Sequence, residues 1–211
     1  MANSNGAFGL RPIGVVGQAA NTTGVTEYRI AAGNTNAIYQ GSPVIPLSTG
    51  FIDIVGAAAG GTVGLLGVFW GCEYVSSTTG EKIYSNSWPG SGADTNHPVT
   101  AFVYDNPMQT FVICSDASLT NEATARGHVF ANANFATATS GSSTTGISSA
   151  KLGVSTIATT AALQLRIMGI QNDPDNADFA AAGIPVIVRL NNSFNSANGA
   201  IVAGTPSTTG V

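Results

Sequence analysis

Short apolar runs separated by glycine-rich polar segments are the main pattern along this chain. The runs are rich in Val, Ile, Tyr, Phe and Trp and are bounded by Gly, Asn, Pro and Ser, which is typical of short β-strands. They are VTEYRIA from Val25, AIYQ from Ala37, FIDIV from Phe51, VGLLGVFWGCEYV from Val63, EKIYSNSW from Glu81, VTAFVYD from Val99, MQTFVIC from Met108, LQLRIMGI from Leu163 and IPVIVRL from Ile184. This spacing predicts an all-β fold, an antiparallel sandwich or barrel of jelly-roll-like kind with long Gly/Ser/Thr-rich loops.

Two pairs of neighbouring runs have turn residues between them. Thr79-Gly80 separates GVFWGCEYV from EKIYSNSW, and Asn106-Pro107 separates VTAFVYD from MQTFVIC. Both pairs are predicted hairpins, the second with a loop longer than two residues because Pro restricts the residue before it. Helical periodicity is weak, since the best candidate, NEATARGHVFANANF from Asn121, is interrupted by Gly127. We expect a few helical turns at most.

The length of 211 residues is enough for one substantial core. We predict an N-terminal arm over residues 1–20, a single β-rich domain over 21–202 and a C-terminal tail over 203–211. Residues 136–160 are low in complexity and almost uncharged, so they are either a long surface loop or an arm that a neighbouring subunit orders.

An uncharged stretch over residues 54–72 is long enough to suggest a membrane-spanning helix. Its six glycines weaken a helix, and the alternative is a Gly-rich loop over 56–62 that leads into a strand buried on both faces. The segment before Arg11 has no basic residue and no apolar core of the secretory type, so we expect no signal peptide. We predict no membrane partner.

Charge is scarce. Charged residues are 9% of the chain, against about 25% in an average soluble domain. Seven basic residues and eleven acidic ones, without a basic run, argue against nucleic-acid binding. Free monomers usually rely on interspersed charges for solubility, so this composition indicates a surface that other subunits cover. The sequence therefore favours an assembly component that self-associates.

Catalytic and cofactor motifs are hard to find. His97 and His128 have no metal-ligand spacing to Cys or Glu, and the phosphate-loop, zinc-protease and nucleophile-elbow patterns are missing from the sequence. Carboxylate pairs for glycoside cleavage would have to come from Asp53, Glu73, Glu81, Asp94 and Asp105, whose separations the sequence leaves open. We predict a protein that is not an enzyme and has no cofactor.

Two further features allow alternatives. Asp173, Asp175 and Asp178 form a weak calcium candidate in NDPDNAD, but the segment departs from the EF-hand loop, and a solvated turn between two strands explains it without a metal. Cys72 and Cys114 both lie in predicted strands, so they are either buried thiols or, if the fold joins them in an oxidising compartment, a disulfide.

The segments MANSNGAFGLRPIG, GVFWGCEYVSSTTGEKIYSNSWPGSGAD and AFVYDNPMQTFVI together resemble small structural proteins of tailed bacteriophages, of the capsid decoration (cement) kind. The resemblance covers the N-terminal half, and beyond about residue 116 only LQLRIMGI and IVRLNN are similar. It implies a non-enzymatic protein that stabilises an icosahedral capsid from its exterior after assembly in the bacterial host cytoplasm. The implied partner is the major capsid protein. Because charge is so sparse, we also predict association with further copies of this chain, as a homodimer or homotrimer.

The candidate interface residues lie in two places. Flexible glycines before Arg11-Pro12 predict an arm that presents Phe8, Leu10, Arg11 and Pro12 to a neighbour, and the hairpin tip is expected to expose Thr78 and Thr79. Deleting residues 2–12 is then expected to leave a folded domain.

The aromatic residues admit a competing function. A carbohydrate-binding module or adhesin on a virion or cell surface would use exposed aromatics to stack on sugars, whereas core packing would bury them. The candidates are Trp70, Tyr74, Tyr84 and Trp88. Because Pro89 stops a strand and Gly90 turns the chain, we interpret Trp88, Pro89 and Gly90 as structural, with the indole covering the open edge of the core.

Overall fold

A computed structural model describes residue 3 and residues 6–17, 24–56 and 64–195. In chain order its strands are β1 (Arg11–Val15), β2 (Thr26–Ile30), β3 (Pro43–Pro46), β4 (Ile52–Ile54), β5 (Gly67–Val75), β6 (Lys82–Ser85), β7 (Val99–Tyr104), β8 (Gln109–Cys114), β9 (Asn132–Ala133), β10 (Phe135–Ala136), β11 (Lys151–Leu152), β12 (Leu165–Ile170) and β13 (Pro185–Leu190). One α-helix, α1 (Glu122–Gly127), and two 3₁₀ turns complete the described elements, and none of these helices is long and apolar enough to cross a membrane.

The strands form two main antiparallel sheets in sandwich-like layers, as the pattern predicted, and neither closes into a barrel within the described ranges. The first sheet has five strands in the order β1-β8-β13-β12-β9. The second has six, in the order β2-β7-β5-β3-β4 with β6 also paired to β5. In the second sheet β7 pairs with one edge of β5. On the other edge, β3 pairs with the start of β5 and β6 pairs with its end.

Two hydrophobic cores flank the six-stranded sheet. The inter-sheet core contains Phe111, Val188 and Leu165 from the five-stranded sheet and Val68 from β5. The second core, on the opposite face, contains Phe69 and other residues of β4, β5 and β7 beneath the loop that carries Ile38. The start of β5 is therefore buried on both faces, which confirms the prediction for this strand, while residues 57–63 of the expected Gly-rich loop lie outside the described residues.

The connection through Asn106 and Pro107 is not a hairpin. β7 pairs with β2 and β5 in the six-stranded sheet, whereas β8 pairs with β1 and β13 in the five-stranded sheet. The chain crosses from one layer of the sandwich to the other at this turn. Alternating side chains can face a core in either arrangement, so the local pattern could not distinguish a hairpin from a crossing between sheets. The hairpin of β5 and β6 does form, with Cys72 opposite Ser85.

The N-terminal arm prediction is wrong for residues 10–15. Leu10 is fully buried in the inter-sheet core, and its amide donates to the Gly41 carbonyl oxygen at 2.9 Å. Gly9 has a φ of +67°, and a side chain there would meet the same Gly41 backbone. Arg11 begins β1, which pairs with β8 along its length. Within the expected arm over residues 1–20, Arg11–Val15 is thus an edge strand of the sandwich, while residues 1–2, 4–5 and 18–20 lie outside the described residues.

Residues 136–160 are ordered by their own chain. β10 and β11 pair with each other, and Ile147 bridges to Gln40 in the loop over the second core. Ala150 and Leu152 are fully buried, and Gly141 lies flat against the Tyr39 ring where a side chain would clash. The segment therefore needs no neighbouring subunit to fold, which corrects the prediction of an arm ordered by a neighbour.

Candidate functional site

The hairpin tip between β5 and β6 is a small exposed turn. The Ser76 hydroxyl accepts hydrogen bonds from the amides of Thr78 and Thr79, each at 3.2 Å, and Gly80 adopts a φ of +71°. Both threonine side chains are exposed, as expected for a tip that contacts a neighbour. They lie on the six-stranded sheet, whereas the other candidate interface residues precede or begin β1 of the five-stranded sheet.

Near the N-terminus, two of the four candidate interface residues pack on each other at the surface. The Arg11 guanidinium lies 4.3 Å above the Phe8 ring, with Arg11 exposed and Phe8 half-buried. Pro12 is half-buried beside Phe111 in β8, and Leu10 points into the core. Phe8 and Arg11 remain available to a partner, whereas Leu10 is not.

Trp88 is fully buried, as predicted, but in the second core rather than over the inter-sheet core. Its ring packs edge to face on Tyr74 with centroids 5.4 Å apart, and its Nε1 donates to the Asn34 carbonyl at 3.2 Å. Pro89 is exposed, and Gly90 has a φ of +80° with the Thr35 carbonyl 2.6 Å from where a Cβ would lie. Substituting Gly90 would therefore strain the turn that follows the indole.

The aromatics proposed to bind sugar do not form one exposed platform. Trp70 and Tyr74 are half-buried, and Trp70 packs edge to face on Tyr104 with centroids 5.4 Å apart. Only Tyr84 of the four is largely exposed, at 69%, with the Lys82 ammonium 5.2 Å from its ring centroid. Core packing accounts for Trp88 and Tyr74 of this set.

The aspartate turn uses its oxygens within the protein. Asp173 caps a 3₁₀ turn by accepting from the Asp175 amide at 3.2 Å and from the Asn176 side-chain amide at 2.8 Å. The Asn3 side chain bonds the main chain of Asp178 in both directions. Among the described residues no group of three or more acidic, His or Cys side chains could hold a metal ion. The hydrogen bonds of Asp173 and of the Asp178 main chain hold this turn in place.

The histidines lie in separate places. His97 Nδ1 is 2.8 Å from the Asp94 carboxylate in an exposed loop, and His128 follows α1 as its C-terminal cap. Backbone donation from Asn96, followed by His97, holds the pKa of Asp94 below its usual value. Because this pair is exposed and bonded within one turn, its contacts stabilise the loop.

Both cysteines are buried free thiols. The Cys72 thiol donates to the Ser87 carbonyl oxygen at 3.5 Å and the Cys114 thiol to the Gly6 carbonyl oxygen at 3.2 Å. Burial raises the pKa of Cys72 from its ordinary value of 9.0 to about 12 and that of Cys114 to about 11. Cys72 packs in the second core, on the face of the six-stranded sheet turned away from the five-stranded sheet that contains Cys114, so the fold separates the two thiols.

We expect the thiols to make stability fall at alkaline pH. Because the folded protein holds these protons to higher pH than the unfolded chain, their contribution is full below about pH 9 and is lost as the pH rises toward 11 and 12. Urea unfolding of wild type and of the variant with Cys72→Ala and Cys114→Ala, at pH 7, 9 and 10, measures this. The variant should lose less stability over the alkaline range, and an identical pH slope in both proteins would contradict the prediction.

Sequence reasoning missed a pair of arginines on the outer face of the five-stranded sheet. Arg166 in β12 lies directly opposite Arg189 in β13. The available signal was that each is the one charged residue in an otherwise uncharged strand, at a position that alternates with core residues. Which strands are neighbours could not be read from the sequence, so the juxtaposition was not visible.

No family model, curated protein or solved structure compared with this chain matches it. The features that bear on function are therefore those of the chain itself. They are a sparsely charged sandwich, an exposed hairpin tip, a surface Phe8–Arg11 pair and the two opposed arginines.

Proposed function

We propose that this chain is a non-enzymatic structural protein of a phage particle, which binds and stabilises the icosahedral capsid from outside as a decoration protein. The observation that carries the proposal is the scarcity of charge on a well-packed sandwich, with 18 charged residues in 211, seven basic and eleven acidic. A surface with so few charges loses little solvation when a neighbour covers it. The resemblance of the N-terminal half to cement proteins supports the same assignment.

The described surface also has features suited to assembly. Among the described strands β1 pairs with β8 only and so forms one edge of its sheet, and Ile13 in this strand is 47% exposed. Exposed sheet edges and apolar side chains are usual in docking surfaces. On this proposal the partners are the major capsid protein and other copies of the chain, as a homodimer or homotrimer, and the protein acts on the virion exterior.

The test is binding to capsids that lack the protein. We expect purified protein, added to heads of the phage that encodes it, to bind to saturation with a fixed number of copies per capsid subunit. Electron cryomicroscopy should then show added density on the outer surface, and the decorated heads should resist heat better than bare heads. Heads that stay undecorated at micromolar protein would overturn the proposal.

A further inference from the structure

A row of paired residues, four of them polar, crosses the outer face of the five-stranded sheet. The backbone register places Gly14, Thr110, Arg189, Arg166 and Asn132 opposite one another from β1 to β9. The residues that alternate with the two arginines in β12 and β13 point into the inter-sheet core, namely Leu165, Ile167, Val188 and Leu190. The two arginines therefore lie on opposite, paired positions at the centre of the face that is turned away from the core, close enough for the charge of Arg166 to act on Arg189.

Neither guanidinium has a carboxylate partner in the described part of the chain. Arg166 donates from Nε to the Asn132 side-chain oxygen at 3.2 Å, and Arg189 donates from Nη1 to the Met108 sulfur at 3.5 Å. The Nε of Arg189 is buried and has no hydrogen-bond partner among the residues that the structure describes. The ion pairs among described residues lie elsewhere, at Lys82–Glu73, His97–Asp94 and Arg126–Glu122.

This arrangement is unfavourable for the isolated chain. Like charges directly opposite each other on neighbouring strands repel, and a half-buried guanidinium with an unsatisfied N–H has lost part of its hydration. Burial, followed by the charge of Arg166, lowers the pKa of Arg189. The chain has eleven acidic residues, so a shortage of carboxylates does not explain why these arginines have no ion-pair partner among the described residues.

Further cations and apolar groups extend the same surface. Arg11 lies opposite Val112 on the outer face, and its charge and that of Lys151 both act on nearby Cys114. Met108 contacts Arg189 and is 39% exposed. Phe130, which precedes β9, is 74% exposed and has a φ of +73°, a conformation that is costly for an aromatic residue. Arginine, methionine and aromatic side chains are the residues most enriched in protein interfaces.

We propose that the outer face of the five-stranded sheet, centred on Arg166 and Arg189, is a docking surface for an acidic protein partner that places a carboxylate between the two guanidiniums. A carboxylate matches the planar donor geometry of arginine and would remove the like-charge repulsion. The face is too sparsely basic for counterion-driven nucleic-acid binding, which needs many phosphate contacts. The inference rests on the proposed function in one respect, because it identifies the partner as the capsid subunit.

The experiment compares head binding and thermal stability for wild type, Arg189→Met, Arg166→Gln and the control Arg29→Met. Arg29 is also a strand arginine without a carboxylate within 4 Å, but it is exposed on the six-stranded sheet, where it bonds Thr100. We expect Arg189→Met and Arg166→Gln each to weaken binding to heads at least tenfold, whereas Arg29→Met should bind as wild type does. Affinity for wild type should also fall with added salt.

Thermal unfolding of the free protein separates docking from a structural role. Arg189→Met removes the unpartnered buried Nε and the repulsion while keeping an unbranched apolar side chain, so we expect its melting temperature to be at least that of wild type. A variant that binds heads poorly because it is destabilised would have a lower melting temperature than wild type. If both arginine variants show weaker binding together with a lower melting temperature, the inference is overturned. Arg166→Gln provides the second test because it keeps a side chain able to bond Asn132.

The remaining outcomes are also distinguishable. If wild type does not bind heads, the proposed function fails and the inference fails with it. If wild type binds and both arginine variants bind equally well, only the inference is overturned. A third outcome is that the variants change the molar mass of the free protein in light scattering while binding to heads is unchanged. In that case the face joins copies of this chain, and the proposal of an acidic capsid partner is overturned.

Discussion

Replacing Trp88 by alanine is expected to destabilise the protein by about 3 to 5 kcal/mol, the usual cost of truncating a large buried aromatic side chain. The indole is fully buried in the second core, packs edge to face on Tyr74 and donates its N–H to the Asn34 carbonyl. Truncation would leave a cavity and an unsatisfied carbonyl acceptor together. Since total stability is about 5 to 15 kcal/mol for a typical domain, the melting temperature should fall by about 6 to 20 °C.

Thermal unfolding of Trp88→Ala beside wild type measures this effect, with Tyr84→Ala as the matched control. Tyr84 is 69% exposed on the neighbouring strand, so its truncation should change stability by about 0.5 kcal/mol or less. The same comparison tests the carbohydrate-binding alternative. If Trp88→Ala melts like wild type and a glycan array shows that binding has disappeared, the indole is a ligand platform and the structural interpretation is wrong.

Leu10→Ala should be the second most damaging substitution, at about 2 to 5 kcal/mol. Leu10 is fully buried in the inter-sheet core, and the chain there is held by its amide bond to Gly41. Its removal would leave a cavity beside β8 and weaken the attachment of β1. Urea unfolding measures the loss, and Phe8→Ala is the control because that ring is half-buried beneath Arg11.

The structure also reverses the expectation for a deletion of residues 2–12. That deletion removes Leu10 and the first two residues of β1, so we now expect an unfolded or strongly destabilised product. Phe8→Ala should cost less than half as much stability as Leu10→Ala. If the deletion variant unfolds cooperatively with the same urea midpoint as wild type, residues 2–12 form an arm after all.

Several elements could be predicted from the sequence because their signals are local. The apolar run Gly67–Val75 has no polar alternation at its start, which is the property of a strand between two cores, and it is buried on both faces. Thr79-Gly80 supplies the conformation that the hairpin tip requires, and Gly80 has a positive φ there. The cysteines in apolar strands are buried thiols. Among the candidate interface residues, the exposure of Thr78 and Thr79 could be predicted from the turn chemistry, whereas the burial of Leu10 could not.

Other elements were missed because their signals are weak or not local. β1 contains Pro12 and Gly14, which are unfavourable in a strand interior, and it is tolerated because it forms a sheet edge with an irregular register between these residues. β3 begins and ends with proline and was not among the predicted strands. Residues 136–160 lack the apolar content for a core of their own, and they order by packing on Tyr39 and Gln40 of another loop.

By itself the sequence determined the all-β class, most of the strands and the scarcity of charge, because alternation, turn residues and composition are properties of short segments. Only the tertiary structure decided which strands are neighbours. Alternation specifies that one side of a strand is buried, but it is the same whether β7 pairs with β8 or crosses to the other sheet. The pairing of Arg166 with Arg189, and hence the candidate docking face, follows from contacts between segments more than 20 residues apart along the chain, for which the sequence contains no local signal.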